Sequence, residues 1–159
     1  MFWKKKPIRA APPRHPLPQP FDLPTEIDTT LSIFMDMALL LVTIENGMKG
    51  ELILRQRTAA CALGAVDWLC QVRGVARDEI EWMQVSVEVA TKYMAVGDSK
   101  VFARFPAEVI GMCLANITNG QGDMHRCMLV GGNAMKSWVM NHSQDAPLDV
   151  TRCIMGVEG

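Results

Sequence analysis

Residues 76–96 read ARDEIEWMQVSVEVATKYMAV, and the spacing of their apolar side chains decides the fold. Ile80, Met83, Val87, Ala90 and Met94 recur at intervals of three and four, which aligns them on one stripe of a helix. Trp82, Val85, Val89, Tyr93 and Val96 form a second stripe, centred about 120° further round. Glu81, Gln84, Glu88, Thr91 and Lys92 fill the remaining arc, with Glu88 and Lys92 spaced for an i,i+4 ion pair. A helix with two apolar stripes is packed on two sides. Either it lies between helices of its own chain, or one stripe belongs to a partner. Trp82, Val85, Val89 and Tyr93 are the candidate partner-binding residues.

The neighbouring segments are helical by the same reasoning. Upstream, a helix over about 48–73 ends at Gly74, a residue suited to the left-handed cap position. Its exposed side is expected to carry Glu51, Arg55 and Arg57. Its small residues Ala59, Ala60, Cys61, Ala62 and Gly64 allow a neighbouring helix to come close, and Trp68 and Leu69 anchor its far end. The first helix is expected to start at Thr25 as N-cap, with Glu26 and Asp28 placed to favour the helix dipole. From Leu31 to Ile44 only Ser32, Asp36 and Thr43 interrupt the apolar run, and with Thr29 they form one narrow polar stripe. That pattern predicts a mostly buried helix, stopped by Asn46-Gly47.

Downstream, Gly97-Asp98 breaks the chain, and 100–105 reads equally as a short strand or a loop. Pro106 fits the first position of a fourth helix that closes at Asn119-Gly120, uncharged from Val109 to Ile117 and therefore expected to be central. Asp123 is expected to cap a fifth helix over 124–141 whose buried face is Met124, Met128, Gly131, Met135 and Trp138. Gly131-Gly132 in mid-helix costs about 1 kcal/mol per glycine unless tight packing offsets it. Beyond Pro147 the last dozen residues read as a short helix or an extended arm. The expectation is an all-α fold: a single bundle-like domain of about five helices over 25–159, without a 20–50-residue repeat.

Residues 1–24 differ in kind. Seven of the nine prolines lie there, fixing φ and removing backbone donors, so a disordered, polyproline-like tail is expected. The tail carries Lys4, Lys5, Lys6, Arg9 and Arg14 against Asp22 alone, a net charge of +4. The remaining eleven basic and sixteen acidic residues leave the body at −5. Those five cations are the candidate contacts to an acidic partner, a nucleic acid or an anionic membrane surface. No apolar export segment follows the lysines, and no apolar run is long enough to span a bilayer, so a cytoplasmic location is expected.

Signals for chemistry are sparse. The five cysteines, Cys61, Cys70, Cys113, Cys127 and Cys153, form no C-x-x-C pair and read as free buried thiols. Neither zinc-finger spacing nor a Glu-x-x-His pair occurs, so no metal ligand and no cofactor is expected. His125 is expected to face solvent in the first turn of its helix. No G-x-S-x-G, H-E-x-x-H or phosphate-loop motif is present. The expected function is a non-enzymatic interaction module, an adaptor, chaperone-like or assembly factor, that binds itself or a partner helix through apolar faces. The alternative is a small helical enzyme whose site joins Glu108, Asp123 and His125.

Overall fold

The computed structural model describes residues 23–40, 42, 51–96 and 122–157, and all regular structure among them is helical. Five helices follow in order: α1 (Leu23–Leu39), α2 (Glu51–Val72), α3 (Ile80–Met94), α4 (Asp123–Asn141) and α5 (Ala146–Met155). The all-α expectation holds, and the C-terminal residues left open between helix and arm are α5. Residues 1–22 of the expected tail, the 100–105 segment and the uncharged helix expected from Pro106 to Asn119 lie outside the described residues, and so do Glu108 and Cys113, whereas Leu23 and Pro24 belong to α1.

Helix α2 is the centre of the fold. It packs against all four other helices and most extensively against α4. Thr58 to Asp67 are ten consecutive buried residues, so this part of α2 has no solvent face. Six of them are alanine, cysteine or glycine, and their small size sets how near the neighbours come. A Cβ added at Gly131 would lie 1.9 Å from the Cys61 carbonyl oxygen, and one at Gly64 would lie 1.8 Å from the Met128 carbonyl oxygen. Backbone meets backbone where α2 crosses α4, and only glycine fits at those two positions. The mid-helix glycines are thus offset by dense dispersion contact across the crossing.

The helix ends are set by local chemistry. Gly74 adopts φ +79° after α2, where the Val75 amide donates to the Cys70 carbonyl and the Gly74 amide to Gln71. Gly156 closes α5 in the same way at φ +77°, with the Val157 amide donating to Arg152 and the Gly156 amide to Cys153. Pro147 occupies the first turn of α5, where its missing N–H costs nothing. Helix α1 starts two residues before the expected Thr25 cap and ends at Leu39, short of Ile44. Helix α3 starts at Ile80, one turn later than the apolar pattern suggests.

Two arginines expected on an exposed face of α2 are instead half-buried caps for other helices. Arg55 Nη1 donates to the carbonyls of Met94 (2.8 Å) and Val96 (2.7 Å) at the end of α3. Arg57 Nη1 donates to the Ile154 carbonyl at the end of α5, 3.3 Å away. Both place a cation against the negative end of a helix dipole and satisfy carbonyls that the helix cannot. Asp67, buried on α2, accepts from Trp82 Nε1 (3.0 Å), Gln71 Nε2 (2.8 Å) and both Nε and Nη2 of Arg77 (2.9 and 2.6 Å). It fastens α3 and the α2–α3 turn to α2, and it leaves no buried charge unpaired.

Burial corrects two expectations about α1 and α3. Trp82, Val85, Val89 and Tyr93, the candidate partner face, are 1–7% exposed and belong to the chain's own core. They turn inward because this stripe carries the bulkiest side chains of α3 and the indole that reaches Asp67. Solvent falls on the N-terminal part of the other stripe, where Ile80, Met83 and Val87 are 69%, 42% and 39% exposed, while Ala90 and Met94 further along it are buried. On α1, Ile27, Leu31, Phe34, Met35 and Ala38 are buried, while Ile33, Met37 and, just past the helix end, Leu40 face outward. That helix is therefore less buried than its composition suggests. Lys92 forgoes Glu88 and donates to Asp28 Oδ1 (3.2 Å) and Ser32 Oγ (2.9 Å) of α1. No helix among the described residues is long and apolar enough to cross a membrane.

The crossing of α2 and α4 makes a sharp prediction from two adjacent glycines. Gly131→Ala drives a methyl group into the α2 backbone and should destabilise the fold by about 3 kcal/mol or more. At Gly132 an added Cβ lies 3.2 Å from the Gly64 carbonyl oxygen. Gly132→Ala should therefore stay within about 1 kcal/mol of the parent, because the helix-propensity gain of alanine offsets the tighter contact. Urea denaturation of the two variants checks this, and equal effects would contradict it.

Candidate functional site

Three of the buried cysteines, far apart in sequence, meet in the core. Cys61 comes from the middle of α2, Cys127 from the second turn of α4 and Cys153 from the last turns of α5. Their Sγ atoms all lie within 4.8 Å of one another. The sulfurs of Cys127 and Cys153 are 3.3 Å apart. Cys61 and Cys127 are fully buried, and Cys153 is 3% exposed. The α2–α4 crossing is what assembles the cluster: Gly131 rests on the Cys61 backbone one helical turn beyond Cys127, so the two thiols share the same gap.

A charged lattice borders the cluster. Arg126 Nη1 donates to Cys153 Sγ at 3.3 Å, and Arg126 Nη2 donates to Asp123 Oδ1 at 2.7 Å. Asp123 Oδ2 also accepts from Arg57 Nε at 2.9 Å. Burial alone would raise the Asp123 carboxyl, but the hydrogen bonds from Arg57 and Arg126 outweigh it and hold the group below its usual range. Two guanidinium groups and one carboxylate leave a net charge of +1 beside the sulfurs.

This environment divides the three thiols. Hydrogen bonds with Cys127 and Cys61, reinforced by the Arg126 charge, push Cys153 well below the ordinary thiol value of 9.0 against the opposing effect of burial. The Cys127 thiol is raised, chiefly by its hydrogen bond with Cys153, with burial acting in the same direction. Cys61 is raised by the same sulfur contacts and by complete burial. The cluster therefore favours ionisation at Cys153 over Cys127 and Cys61. Cys70 shows the contrast: it has no sulfur neighbour, and burial followed by the Asp67 charge pushes it up to about 11.

Cys153 also reaches the wall of a cleft of about 420 Å³ between α4 and α5, where Arg126, Asn133, Ser137, Asp149 and Arg152 supply polar groups. The most acidic thiol is thus the one beside a solvent-connected space. Sequence spacing could not reveal this cluster, since 61, 127 and 153 lie on three separate helices. The sole hint was that Cys61 and Cys127 sit within apolar helical segments, whereas Cys153 lay in the stretch left open between helix and arm.

The other candidate residues fare differently. Asp123 and His125 belong to the same turn of α4 but point to different neighbours, so they do not form a joint site. His125 is not solvent-facing as expected; it is 9% exposed, and its Nδ1 has no hydrogen-bond partner. It lines a separate cleft of about 250 Å³ with Gly64, Asp67, Arg77 and Met128. The wheel position that suggested exposure ignored how deeply α4 sinks against Gly64 of α2. Glu108 and the tail cations Lys4, Lys5, Lys6, Arg9 and Arg14 lie outside the described residues.

The lowered pKa of Cys153 sets the sign of its pH dependence. A thiol whose folded value lies below its unfolded value stabilises the fold above the ordinary thiol range, and that contribution fades as pH falls from there towards the folded value. Thiolate ultraviolet absorption of the reduced, folded chain should register one thiolate at about pH 6, where an unperturbed cysteine is protonated. Cys153→Ser should abolish that signal, and a first ionisation only near the ordinary 9.0 would contradict the assignment. No family model, curated protein or solved structure matches this chain, so its site is read from its own chemistry.

Proposed function

We propose that this chain is a non-enzymatic helical interaction protein whose outward face of α3 receives a partner helix. The observation that carries this reading is the exposed stripe Ile80, Met83 and Val87, at i, i+3 and i+7 along one side of α3. Exposed apolar residues aligned at helical spacing form a continuous strip, unlike single scattered ones. The rim of the strip is acidic: Asp78, Glu79, Glu81 and Glu88 are all exposed around it. The nearby cations are committed elsewhere, Arg77 to Asp67 and Lys92 to Asp28. A partner that fits is an amphipathic helix with lysines or arginines beside its apolar stripe.

Asp123 pairs with Arg57 and Arg126 while His125 lines a separate cleft, so these two do not form the joint site of the enzyme alternative, whose third residue, Glu108, lies outside the described residues. A cytoplasmic setting is part of the proposal, since four buried free thiols suit a reducing compartment. The tail, at net +4, supplies a second charged contact for an acidic partner surface.

Two synthetic probe peptides test the reading, both amphipathic helices with the same leucine stripe, one flanked by lysine and the other by glutamate. The lysine peptide should bind at least about tenfold more tightly, a difference of about 1.4 kcal/mol. The double variant Met83→Glu/Val87→Glu should stay folded, because both positions are exposed, and should lose the binding. Equal affinity for the two peptides, or binding that survives the double variant, would overturn the proposal.

A further inference from the structure

The three-thiol cluster goes beyond the interaction reading and does not depend on it. We propose that Cys61, Cys127 and Cys153 form a binding site for one soft divalent metal ion of the zinc and cadmium class. Three sulfurs within 4.8 Å of one another, each from a different helix, are arranged so that one ion can touch all three. Thiolate is the ligand that soft d¹⁰ ions prefer, and the apolar burial of the sulfurs excludes competing water from most of the site.

Charge selects the divalent class. Three thiolates and a divalent ion sum to −1, and the Arg57–Asp123–Arg126 lattice beside them supplies +1. A monovalent ion would leave −2 against the same +1, which is costly at this burial. Arg126 is the positioning residue of the site: it holds the Cys153 sulfur and is itself fixed by Asp123. The cleft at Cys153 gives the ion a route in, and it gives water a place as fourth ligand, the arrangement of a zinc site with an open position. On binding, three metal–sulfur bonds form, and the protons still carried by the thiols are released to solvent. The site couples α2, α4 and α5, so an ion there fastens the fold at its centre.

The test is titration of the reduced, full-length chain with Cd²⁺ as an optical probe, alone and after loading with Zn²⁺. One Cd²⁺ per chain should bind with the sulfur-to-metal charge-transfer absorption of three thiolates, and it should displace bound Zn²⁺, since the softer ion holds thiolates more tightly. Cys61→Ala, Cys127→Ala and Cys153→Ala should each weaken binding by about a hundredfold or more, since losing a supporting partner alone costs 10–100-fold. Cys70→Ala should bind like the parent. Arg126→Met retains all three sulfurs and should weaken binding about tenfold with the absorption band unchanged in shape. Should the cysteine variants fail to fold, X-ray absorption on the parent zinc complex still counts the sulfur neighbours, with three expected. Uptake that ignores these cysteines, a sulfur count of one or none, binding of Cu⁺ alone, or a Cys127–Cys153 disulfide with no uptake by the reduced chain would overturn the proposal.

Discussion

The contact on which this structure depends is the meeting of two backbones where α2 crosses α4. Gly64 lies against Met128 and Gly131 against Cys61, and a single added carbon at either glycine would occupy the space of a carbonyl oxygen. The closeness makes α2 a true centre, buried on every side from Thr58 to Asp67. With its middle surrounded, α2 uses its N-terminal turns to finish other helices: Arg55 caps α3 and Arg57 caps α5 while holding Asp123 at the start of α4. Packing, capping and charge pairing are thus all organised from one helix.

The thiol cluster is a consequence of the same crossing. Cysteine is small enough to sit where helices nearly touch, which explains its presence on α2, α4 and α5 without reference to function. The surroundings add more than packing requires. Arg126 bonds a sulfur, the Arg57–Asp123–Arg126 lattice keeps an excess positive charge next to three thiols, and one of those thiols borders a cleft. Cys70 has none of these, and burial, followed by the Asp67 charge, simply makes its thiol harder to ionise. The face proposed for a partner helix lies on α3 and is chemically separate, an apolar strip with a carboxylate rim. A metal ion at the cluster and a helix on α3 would both act through α2, to which α3 is fastened by Asp67.

Much of the fold was legible in the sequence because helical periodicity and turn residues are local signals. Gly74 ended α2 as its position implied, and the small-residue run Ala59 to Gly64 correctly announced a close neighbour. What could not be read was which side of each helix the neighbours would take. Both stripes of α3 are apolar, and only tertiary packing decided that Trp82, Val85, Val89 and Tyr93 go inside while Ile80, Met83 and Val87 stay out. Arg55 and Arg57 looked like surface charges because their targets are carbonyls on helices 39 to 97 residues away in sequence. His125 looked exposed for a similar reason: Gly64 removes the side chain that would have held α4 at the usual distance. The thiol site was the least legible of all, since no spacing rule connects single cysteines on three helices.

The central claim is that the helices packed about α2 bring three remote thiols into one cluster. Native mass spectrometry of the reduced chain with one equivalent of arsenous acid tests it directly, because this acid condenses with three adjacent thiols and releases three waters. The account predicts a single adduct in which one arsenic has replaced three hydrogens, retained in Cys70→Ala and lost or reduced to two-thiol attachment in Cys61→Ala, Cys127→Ala and Cys153→Ala. A folded chain that forms no such adduct, or forms it equally well without Cys61, would contradict the account.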